Sequence, residues 1–548
     1  MRRIPGLTGQ VVSGTYLARC NDPRRRANTL KRGKVTASRR TTRALFEVLG
    51  LFVLWCTAAL ADPPHSILIQ HARIVDGTGA PSQVASVRIV GDRIAAIGQL
   101  KVRPNDDVID ARGLVLTPGF IDTHSHFVGS FGIADNYLQK LPDAVAGVSQ
   151  GITTSVVGID GRSALPLGLD FAALERVSPA VNVASFIGHG TVRLQVMGDD
   201  FRREATPHEI DEMRELVAKA MGEGALGLST GLEYNPGVYS TRQEVLALAT
   251  ESARHGGRYI THLRSEDRDL WSALDETIEI GRVTKQPIIV SHMKLGMHAL
   301  WGQSNRFIET LERARTGGVD IAGDVYPYDF WQSTLTVLFP ERNYSDRAAA
   351  VYALTEVVPA DGIRFTHYVR DPSLVGRTLA EIATSRGEDP ADTLLALIVD
   401  DPTPESLELS TMRGMSQSDV DRLIQWPYSN ICSDGALLDG HPRARGAFTK
   451  VLRDYVRDRH LLSLEEAVRK MTSLPASRMG LRDRGRIAVG SFADLVLFDP
   501  ATVADRSTVE EPLALSVGIR KVWVNGGIVF ADGIPTGIRT GRVLRRQD

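Results

Sequence analysis

The stretch Pro118-Gly119-Phe120-Ile121-Asp122-Thr123-His124-Ser125-His126 decides the fold. The apolar, β-rich run at 114–117 directly precedes it and predicts a strand. Side chains alternate between the faces of a strand, so His124 and His126 point into one space from its end. Two neutral imidazoles on one face are half of a Zn²⁺ site. A surface strand with two exposed histidines is the alternative, and the apolar run before them argues against it.

Beyond this stretch, short β-like runs alternate with amphipathic helical patterns such as 208–221 and 242–255. The candidate strands are 114–117, 153–157, 182–187, 225–229, 259–261, 288–291, 320–325 and 429–432. Eight such units predict an α/β fold, a (β/α)₈ TIM barrel, whose chemistry collects at the carboxyl ends of the strands. The long gap between strands seven and eight predicts an insertion at about 334–426.

Short β-like runs with turn residues between them flank the barrel pattern on both sides. We expect both ends of the chain to form one small β-sandwich domain. The predicted organisation is a basic arm plus signal peptide at 1–61, the first part of the β domain at 62–115, the barrel at 116–480 and the second part of the β domain at 481–548.

The amino-terminal region differs in charge from the rest of the chain. Residues 1–43 hold twelve Lys or Arg and one acidic residue, whereas residues 62–548 hold 52 basic and 63 acidic residues. The net negative charge of residues 62–548 argues against a surface that binds nucleic acid or an anionic membrane.

The apolar run at 48–61 is too short to span a bilayer comfortably and suits the h-region of a signal peptide. Ala59-Leu60-Ala61 fits the cleavage site. We therefore expect a signal peptide at about 44–61 and an exported, periplasmic protein that is not inserted in the membrane after cleavage. A retained membrane anchor is the alternative.

Ligand-type side chains follow five of the candidate strands. They are His124 and His126, then Asp160, His262, His292 and Asp434. A single histidine at the end of a strand is usually structural, but four with two aspartates at matching positions are the ligand complement of a mono- or dinuclear hydrolytic metal site. We expect one or two Zn²⁺ ions, with another divalent metal as the alternative.

Longer motifs carry a resemblance to a known family. They are PGFIDTHSH (118–126), GALGLSTGLEYNPG (224–237), THLRSE (261–266), DVYPY (324–328), SDG (433–435), HPRARGAF (441–448), RKMTSLPASRMGL (469–481) and GSFADLVLFDP (490–500). This ordered set resembles the amidohydrolase superfamily, and more narrowly its N-acyl-D-amino-acid deacylase (D-aminoacylase) family. The matching stretches cover most of residues 66–540.

The resemblance implies cleavage of the linear amide of N-acyl-D-amino acids to a carboxylate and a free D-amino acid. It implies that His124 and His126 hold one metal subsite and that His262 and His292 hold the other. Asp434 would contact metal and act as general base and acid, taking a proton from metal-activated water and delivering it to the leaving amine.

The resemblance also implies a pocket for a small-molecule substrate, an N-acyl-D-amino acid. Arg443 matches an arginine that grips the α-carboxylate, for which a bidentate guanidinium is suited. Tyr234 matches a tyrosine of the substrate pocket, and Tyr326 and Ser333 are further candidates for it.

Two positions depart from the family pattern. The family's NCG motif, whose cysteine is a metal ligand, reads Ile159-Asp160-Gly161 here. A carboxylate is a harder ligand than a thiolate, and Asp160 is either that ligand or the cap of a turn. The family's HPRxYG has Arg445 in place of tyrosine. This second cation near Arg443 either favours an acidic substrate side chain or points into solvent.

Three further side chains are expected to be structural. His189 follows the third candidate strand as a supporting residue, Lys294 forms an ion pair, and Cys432 is a small core residue.

Other functions are compatible with parts of the pattern. A cyclic amidohydrolase or an isoaspartyl-type dipeptidase of the same superfamily would be favoured by a carboxylated lysine that bridges metals, and no candidate strand ends in an obvious lysine. A catalytically silent binding protein would not need to keep Asp434 and the four histidines.

Overall fold

A computed structural model describes residues 65–127, 137–400, 406–437 and 440–546. The predicted basic arm and signal peptide at 1–61 lie outside the described residues. Within the described ranges, no helix combines the length and apolarity needed to cross a membrane.

Twenty-one strands are present in the described ranges. They are β1 (Ser66–Ile74), β2 (Gln83–Val90), β3 (Arg93–Gly98), β4 (Asp106–Asp110), β5 (Val115–Pro118), β6 (Phe120–Asp122), β7 (Ile152–Val157), β8 (Asn182–Ser185), β9 (Ile187–Gly188), β10 (Gly227–Gly231), β11 (Arg258–His262), β12 (Ile288–Val290), β13 (Ile321–Val325), β14 (Trp331–Ser333), β15 (Ile363–Tyr368), β16 (Glu408–Met412), β17 (Ser429–Ile431), β18 (Leu495–Phe498), β19 (Ile519–Val524), β20 (Gly527–Ala531) and β21 (Ile534–Pro535).

The α-helices of the same ranges are α1 (Tyr137–Lys140), α2 (Val145–Val148), α3 (Leu167–Val177), α4 (His189–Met197), α5 (Pro207–Glu223), α6 (Arg242–Arg254), α7 (Leu270–Thr284), α8 (Ser304–Thr316), α9 (Arg347–Tyr352), α10 (Leu379–Arg386), α11 (Pro390–Leu397), α12 (Gln417–Gln425), α13 (Arg443–Lys450), α14 (Leu464–Met471) and α15 (Ser473–Met479). Local sequence explains several starts. Thr206 and Thr378 each form a capping box with the glutamate three residues later, which satisfies free N–H groups of the first turn.

Parallel strands form the centre of the molecule. β6, β7 and β8 pair in that order, and a second sheet has the order β9-β10-β11-β12-β13-β17. β8 and β9 follow each other along the chain, separated only by Phe186. A parallel bridge between Ser125 and Gly435 brings the segment after β6 beside the segment after β17. The residues that follow these two strands are therefore neighbours.

One sequence-based assignment is wrong. Residues 114–117, predicted as the first barrel strand, lie largely in β5, which pairs antiparallel with β18 and parallel with β1. The first of the central strands is β6. The chain changes sheets at Gly119, where an added Cβ would lie 2.1 Å from Oγ1 of Thr153, so only glycine fits. The other seven predicted strands each overlap an observed strand.

A nine-stranded sheet combines strands from both ends of the described chain. Its order is β21-β20-β19-β18-β5-β1-β2-β3, with β4 also paired to β1. The contact between β5 and β18 joins the two groups of strands. Ile69 and Val87 share a buried apolar cluster with Leu497 and Trp523, so both ends of the chain contribute to one core.

The chain between β13 and β17 forms a three-stranded antiparallel sheet, β14-β16-β15, with α9 to α12. β14 begins at Trp331 and carries Ser333, which pairs with Ser410 of β16. The carboxylate of Glu408 accepts a hydrogen bond from the Leu335 N–H at 2.9 Å. The first strand of this segment, β14, thus begins shortly after the carboxyl end of β13 along the chain.

Candidate metal and substrate site

Backbone hydrogen bonds hold the loops after β6 and β17 side by side. The N–H of Asp434 donates to the carbonyl of His124 at 2.9 Å, and the N–H of His126 donates to the carbonyl of Gly435 at 2.9 Å. Asp122 supports this arrangement because its carboxylate accepts from the Ser433 N–H at 3.0 Å. The imidazoles and the aspartate are thereby positioned by main-chain contacts.

A first group of candidate ligands comprises His124, His126, Asp160 and Asp434. Nε2 of His126 lies 3.1 Å from Oδ1 of Asp434 and 3.4 Å from Oδ2 of Asp160. Nε2 of His124 lies 3.3 Å from Oδ2 of Asp160 and 3.5 Å from Oδ1 of Asp434. Two ring nitrogens and two carboxylates therefore converge on one small volume.

A second group comprises Asp160, His262 and His292. Nδ1 of His262 lies 3.0 Å from Nε2 of His292, which is 3.6 Å from Oδ1 of Asp160. The backbone N–H of His292 donates to Asp324 at 2.5 Å, which holds the end of β12 against β13. Asp160 belongs to both groups and offers a different oxygen to each.

Three of these residues have unusual backbone geometry. The φ angles of Asp160, His292 and Asp434 are 52°, 31° and 50°. Residues other than glycine adopt this left-handed region in only a small fraction of cases, and such backbone conformations concentrate at functional sites.

The donor set fits a divalent cation. In each group the candidate ligand atoms lie within 4.8 Å of one another. Oδ1 of Asp160 is buried and has no hydrogen-bond partner among the described residues. Burial lowers the pKa of His126, but hydrogen bonds to Asp160 and Asp434 outweigh it and raise that pKa to about 9. The carboxylates of Asp160 and Asp434 thus favour a positive charge between the imidazoles. Histidine nitrogens and carboxylate oxygens are also ligands that Zn²⁺ commonly takes in proteins.

Asp434 also contacts Arg443. The guanidinium Nη1 of Arg443 donates to Oδ2 of Asp434 at 2.5 Å, and both side chains are buried. Burial raises the pKa of Asp434, but Arg443 and His292 outweigh it and hold that pKa well below its ordinary value. Tyr326 lies beside this pair, with its ring centroid 4.9 Å from the guanidinium carbon.

A cavity opens at these side chains. Its lining includes the predicted residues Tyr234, His262, His292, Ser333 and Asp434. The ring of Tyr234 lies 4.3 Å from that of His262. The hydroxyl of Ser333 is buried and has no hydrogen-bond partner in the described part of the chain. The structure therefore places Tyr234 and Ser333 at the cavity and Tyr326 beside Arg443.

Sequence reasoning missed three acidic residues that line the same cavity: Glu233, Glu266 and Asp267. Oε2 of Glu233 lies 2.9 Å from Nε2 of His262, and Oε1 of Glu266 lies 3.1 Å from Nδ1 of His292. Glu233 and Glu266 fall inside the motifs at 224–237 and 261–266, so their position next to predicted ligands was the available signal.

Residues expected to be structural have the following contacts. Nζ of Lys294 lies 2.6 Å from Oε2 of Glu266 and lines the cavity. Nε2 of His189 lies 2.8 Å from the buried carboxylate of Glu244. Cys432 is buried, with its sulfur 3.4 Å from Oδ1 of Asp324.

Arg445, the unusual residue of the HPR motif, is half-buried and donates to the Leu437 carbonyl at 3.1 Å. It is not among the described residues that line the cavity.

Comparisons with known proteins identify the family. Residues 107–530 match the "Amidohydrolase family". N-acyl-D-glutamate deacylase of Alcaligenes xylosoxydans xylosoxydans is 38% identical over 504 residues, which are 88% of this chain and 96% of that protein. D-aminoacylase of the same organism is 37% identical over 509 residues, with 88% of this chain and 98% of that protein covered.

A solved structure shows the same fold. N-acyl-D-glutamate deacylase from Bordetella bronchiseptica, complexed with zinc and a phosphonate inhibitor, matches with a TM-score of 0.78 and 36% identity over 88% of this chain and 100% of that one. Zinc is thus the metal that both the comparison and the donor set support. The predicted family is confirmed: the chain belongs to the amidohydrolase family, in the group that contains the N-acyl-D-amino-acid deacylases.

Proposed function

We propose that the protein is a metal-dependent hydrolase that cleaves the linear amide of N-acyl-D-amino acids to a carboxylate and a D-amino acid. The observation that carries this proposal is the convergence of four strand-end histidines with Asp160 and Asp434, directly beside Arg443. The named relatives act on the same class of compound.

Two metal subsites follow from the two ligand groups. His124 and His126 would hold one, His262 and His292 the other, and Asp160 would contribute to both because each of its oxygens faces one group. Zn²⁺ bound there lowers the pKa of water and polarises the amide carbonyl. The orphaned Oδ1 of Asp160 supports a role as ligand over a role as turn cap.

Asp434 is positioned to carry the proton. Its Oδ1 faces His126 and its Oδ2 faces Arg443. The carboxylate therefore lies between the candidate metal ligands and the side chain proposed to bind the α-carboxylate of the substrate. As general base it accepts a proton from the attacking water, and as general acid it delivers that proton to the leaving amine nitrogen. Arg443 would bind the α-carboxylate, and Tyr234, Tyr326 and Ser333 would contact the substrate.

We further propose that the central strands close into a (β/α)₈ barrel within 116–480, interrupted by the insertion at about 334–426. Residues 62–115 and 481–548 would form the β-sandwich. The parallel strand order and the bridge between Ser125 and Gly435 support closure of the barrel, and the pairing of β5 with β18 supports one β domain.

The composition of 1–61 supports export to the periplasm after removal of the signal peptide at about 44–61. The mass of the protein recovered from the periplasm tests this proposal, because cleavage after Ala61 would leave Asp62 as the first residue.

The reaction is tested with panels of N-acetyl-D- and N-acetyl-L-amino acids, with amine release measured for the zinc-loaded protein. We expect D-selective release and a loss in kcat of about a hundredfold or more in Asp434→Asn. Asp199→Asn, at an exposed position, is the matched control. If the folded, zinc-loaded protein released amine from neither panel, the deacylase proposal would be wrong, and cyclic amides would be tested next.

A further inference from the structure

Most charged side chains at the cavity have a partner of opposite charge. The charged residues that line it, apart from the histidines, are Glu233, Glu266, Asp267, Lys294 and Asp434. Lys294 pairs with Glu266 at 2.6 Å, and Asp434 accepts from Arg443 at 2.5 Å. Glu233 lies against the imidazole of His262 at 2.9 Å. Asp267 differs from these because it has no ion-pair partner among the residues that the structure describes.

Asp267 is only 6% exposed. Its carboxylate accepts a hydrogen bond from the Ser265 hydroxyl at 2.5 Å. The guanidinium of the neighbouring Arg268 contacts Glu341 and Asp269 and not the Asp267 carboxylate, although its charge opposes the rise in the pKa of Asp267. Burial and the nearby Glu233 raise the pKa of Asp267 to about 6, so it is an anion above that pH. A buried anion with no cation in direct contact is stabilised when a ligand supplies one.

The same cavity has an apolar part. The segment between β13 and β17 contributes four large apolar side chains to its lining: Trp331, Val337, Leu338 and Val357. Methylene groups of a ligand are stabilised when they pack on such a surface, because apolar area is removed from water. Ser333 also lines the cavity, is 2% exposed, and its hydroxyl has no hydrogen-bond partner in the described ranges. Such a buried hydroxyl is available to hydrogen-bond a polar ligand atom.

We propose that the cavity selects substrates that carry a cation, an ammonium or guanidinium group, at the end of an aliphatic stem, and that Asp267 receives this cation. The inference rests on the proposed function, since it names the substrate class of that site. The cation can belong to the amino-acid side chain or to the acyl group, as in a dipeptide with a free amino terminus. An acidic side chain would place two anions together and is disfavoured.

The test compares kcat/KM for N-acetyl-D-lysine, N-acetyl-D-norleucine, N-acetyl-D-glutamate and glycyl-D-norleucine. Lysine and norleucine share the aliphatic stem and differ in charge. We expect at least one cationic substrate to exceed N-acetyl-D-norleucine by about tenfold, the size of a charged hydrogen bond. A preference for N-acetyl-D-lysine places the cation on the side chain, and one for glycyl-D-norleucine places it on the acyl group.

Asp267→Asn removes the charge at nearly constant size. We expect it to abolish the cation preference, measured as the ratio of kcat/KM for the preferred cationic substrate to kcat/KM for N-acetyl-D-norleucine, because the charged hydrogen bond to the cation is lost. Asp275→Asn, at an exposed position of α7, keeps the preference as the matched control. The inference is overturned if norleucine is cleaved as fast as both cationic substrates, or if Asp267→Asn retains the preference.

A binding measurement separates this inference from the proposed function. If no N-acetyl-D-amino acid is cleaved, the proposed function fails, and calorimetry with the same compounds and the zinc-loaded protein decides the inference. Tighter binding of a cationic compound than of N-acetyl-D-norleucine, lost in Asp267→Asn, supports it. Equal binding of the cationic and neutral compounds overturns it.

Discussion

The guanidinium of Arg443 donates to Oδ2 of Asp434 at 2.5 Å, although the two residues have different roles in the proposed reaction. The other oxygen of Asp434 lies 3.1 Å from Nε2 of His126. Asp434, the proposed general base, thus lies between His126, a candidate metal ligand, and Arg443, which is proposed to bind the α-carboxylate of the substrate. Substrate binding would make the two carboxylates share one guanidinium, which weakens the hold of Arg443 on Asp434 and favours proton uptake by the base.

Arg443→Lys should therefore impair substrate binding. An ammonium is a point charge and does not contact two carboxylates with the planar geometry of a guanidinium. We expect kcat/KM for the preferred N-acetyl-D-amino acid to fall by about tenfold to a hundredfold, mainly through KM. Steady-state kinetics measure this change, with the exposed Arg413→Lys as control. An unchanged KM would show that Arg443 does not bind the α-carboxylate.

Replacement of Asp160 should change which metal is bound. Asp160→Cys introduces the thiolate that the family motif has at this position, and soft ligands favour Zn²⁺ over Mn²⁺. After dialysis against equal Zn²⁺ and Mn²⁺, we expect a higher zinc-to-manganese ratio in Asp160→Cys than in the parent, measured by mass spectrometry of the metals. Asp160→Ala should hold less of both metals, and the exposed Asp199→Ala should match the parent. Identical metal content in all four proteins would argue that Asp160 only caps a turn.

Glu233 should orient His262. Its Oε2 lies 2.9 Å from Nε2 of that imidazole, which leaves Nδ1 facing His292. A carboxylate behind a metal-bound histidine fixes the ring and increases its basicity, and loss of such a partner weakens metal binding by about tenfold or more. We expect this loss of zinc affinity in Glu233→Gln, measured by competition with a chelator. Glu215→Gln, on the exposed side of α5, should bind zinc normally. Equal affinity of the two variants would contradict the orienting role.

Glu408 should make stability depend on pH. Burial raises its pKa to about 8, while hydrogen bonds from Leu335 and Ser410 partly oppose the rise. The folded state therefore keeps a proton that the unfolded chain releases above its lower, ordinary pKa. Between about pH 4.5 and 8, Glu408 makes the free energy of unfolding fall as the pH rises.

Glu408→Gln should reduce this dependence because it removes the titrating group. Urea unfolding at pH 5, 7 and 9 would measure it, and we expect the variant to lose less stability between pH 5 and 9 than the parent. Glu388→Gln, at an exposed position of the same segment, should keep the parent's slope. A slope that is unchanged in Glu408→Gln would contradict the prediction.

Much of the fold was predictable because the central strands are short, apolar and bounded by turns. Seven of the eight candidate strands overlap strands of the two central parallel sheets, and the eighth lies in the nine-stranded sheet. The exception, 114–117, has the same apolar β pattern as the others. Its pairing with β18, more than 370 residues later in the chain, depends on a long-range contact that no local pattern encodes.

The sequence by itself determined the family and the residue types that converge at the site, because ligand-type side chains follow strands whose ends share one edge. Tertiary structure decided the contacts of Arg443 with Asp434 and of Glu233 with His262, and it placed the buried Asp267 at the cavity. The physical reason is that the charge and burial of a side chain depend on every segment packed around it. Periodicity along the chain reports only the segment to which the side chain belongs.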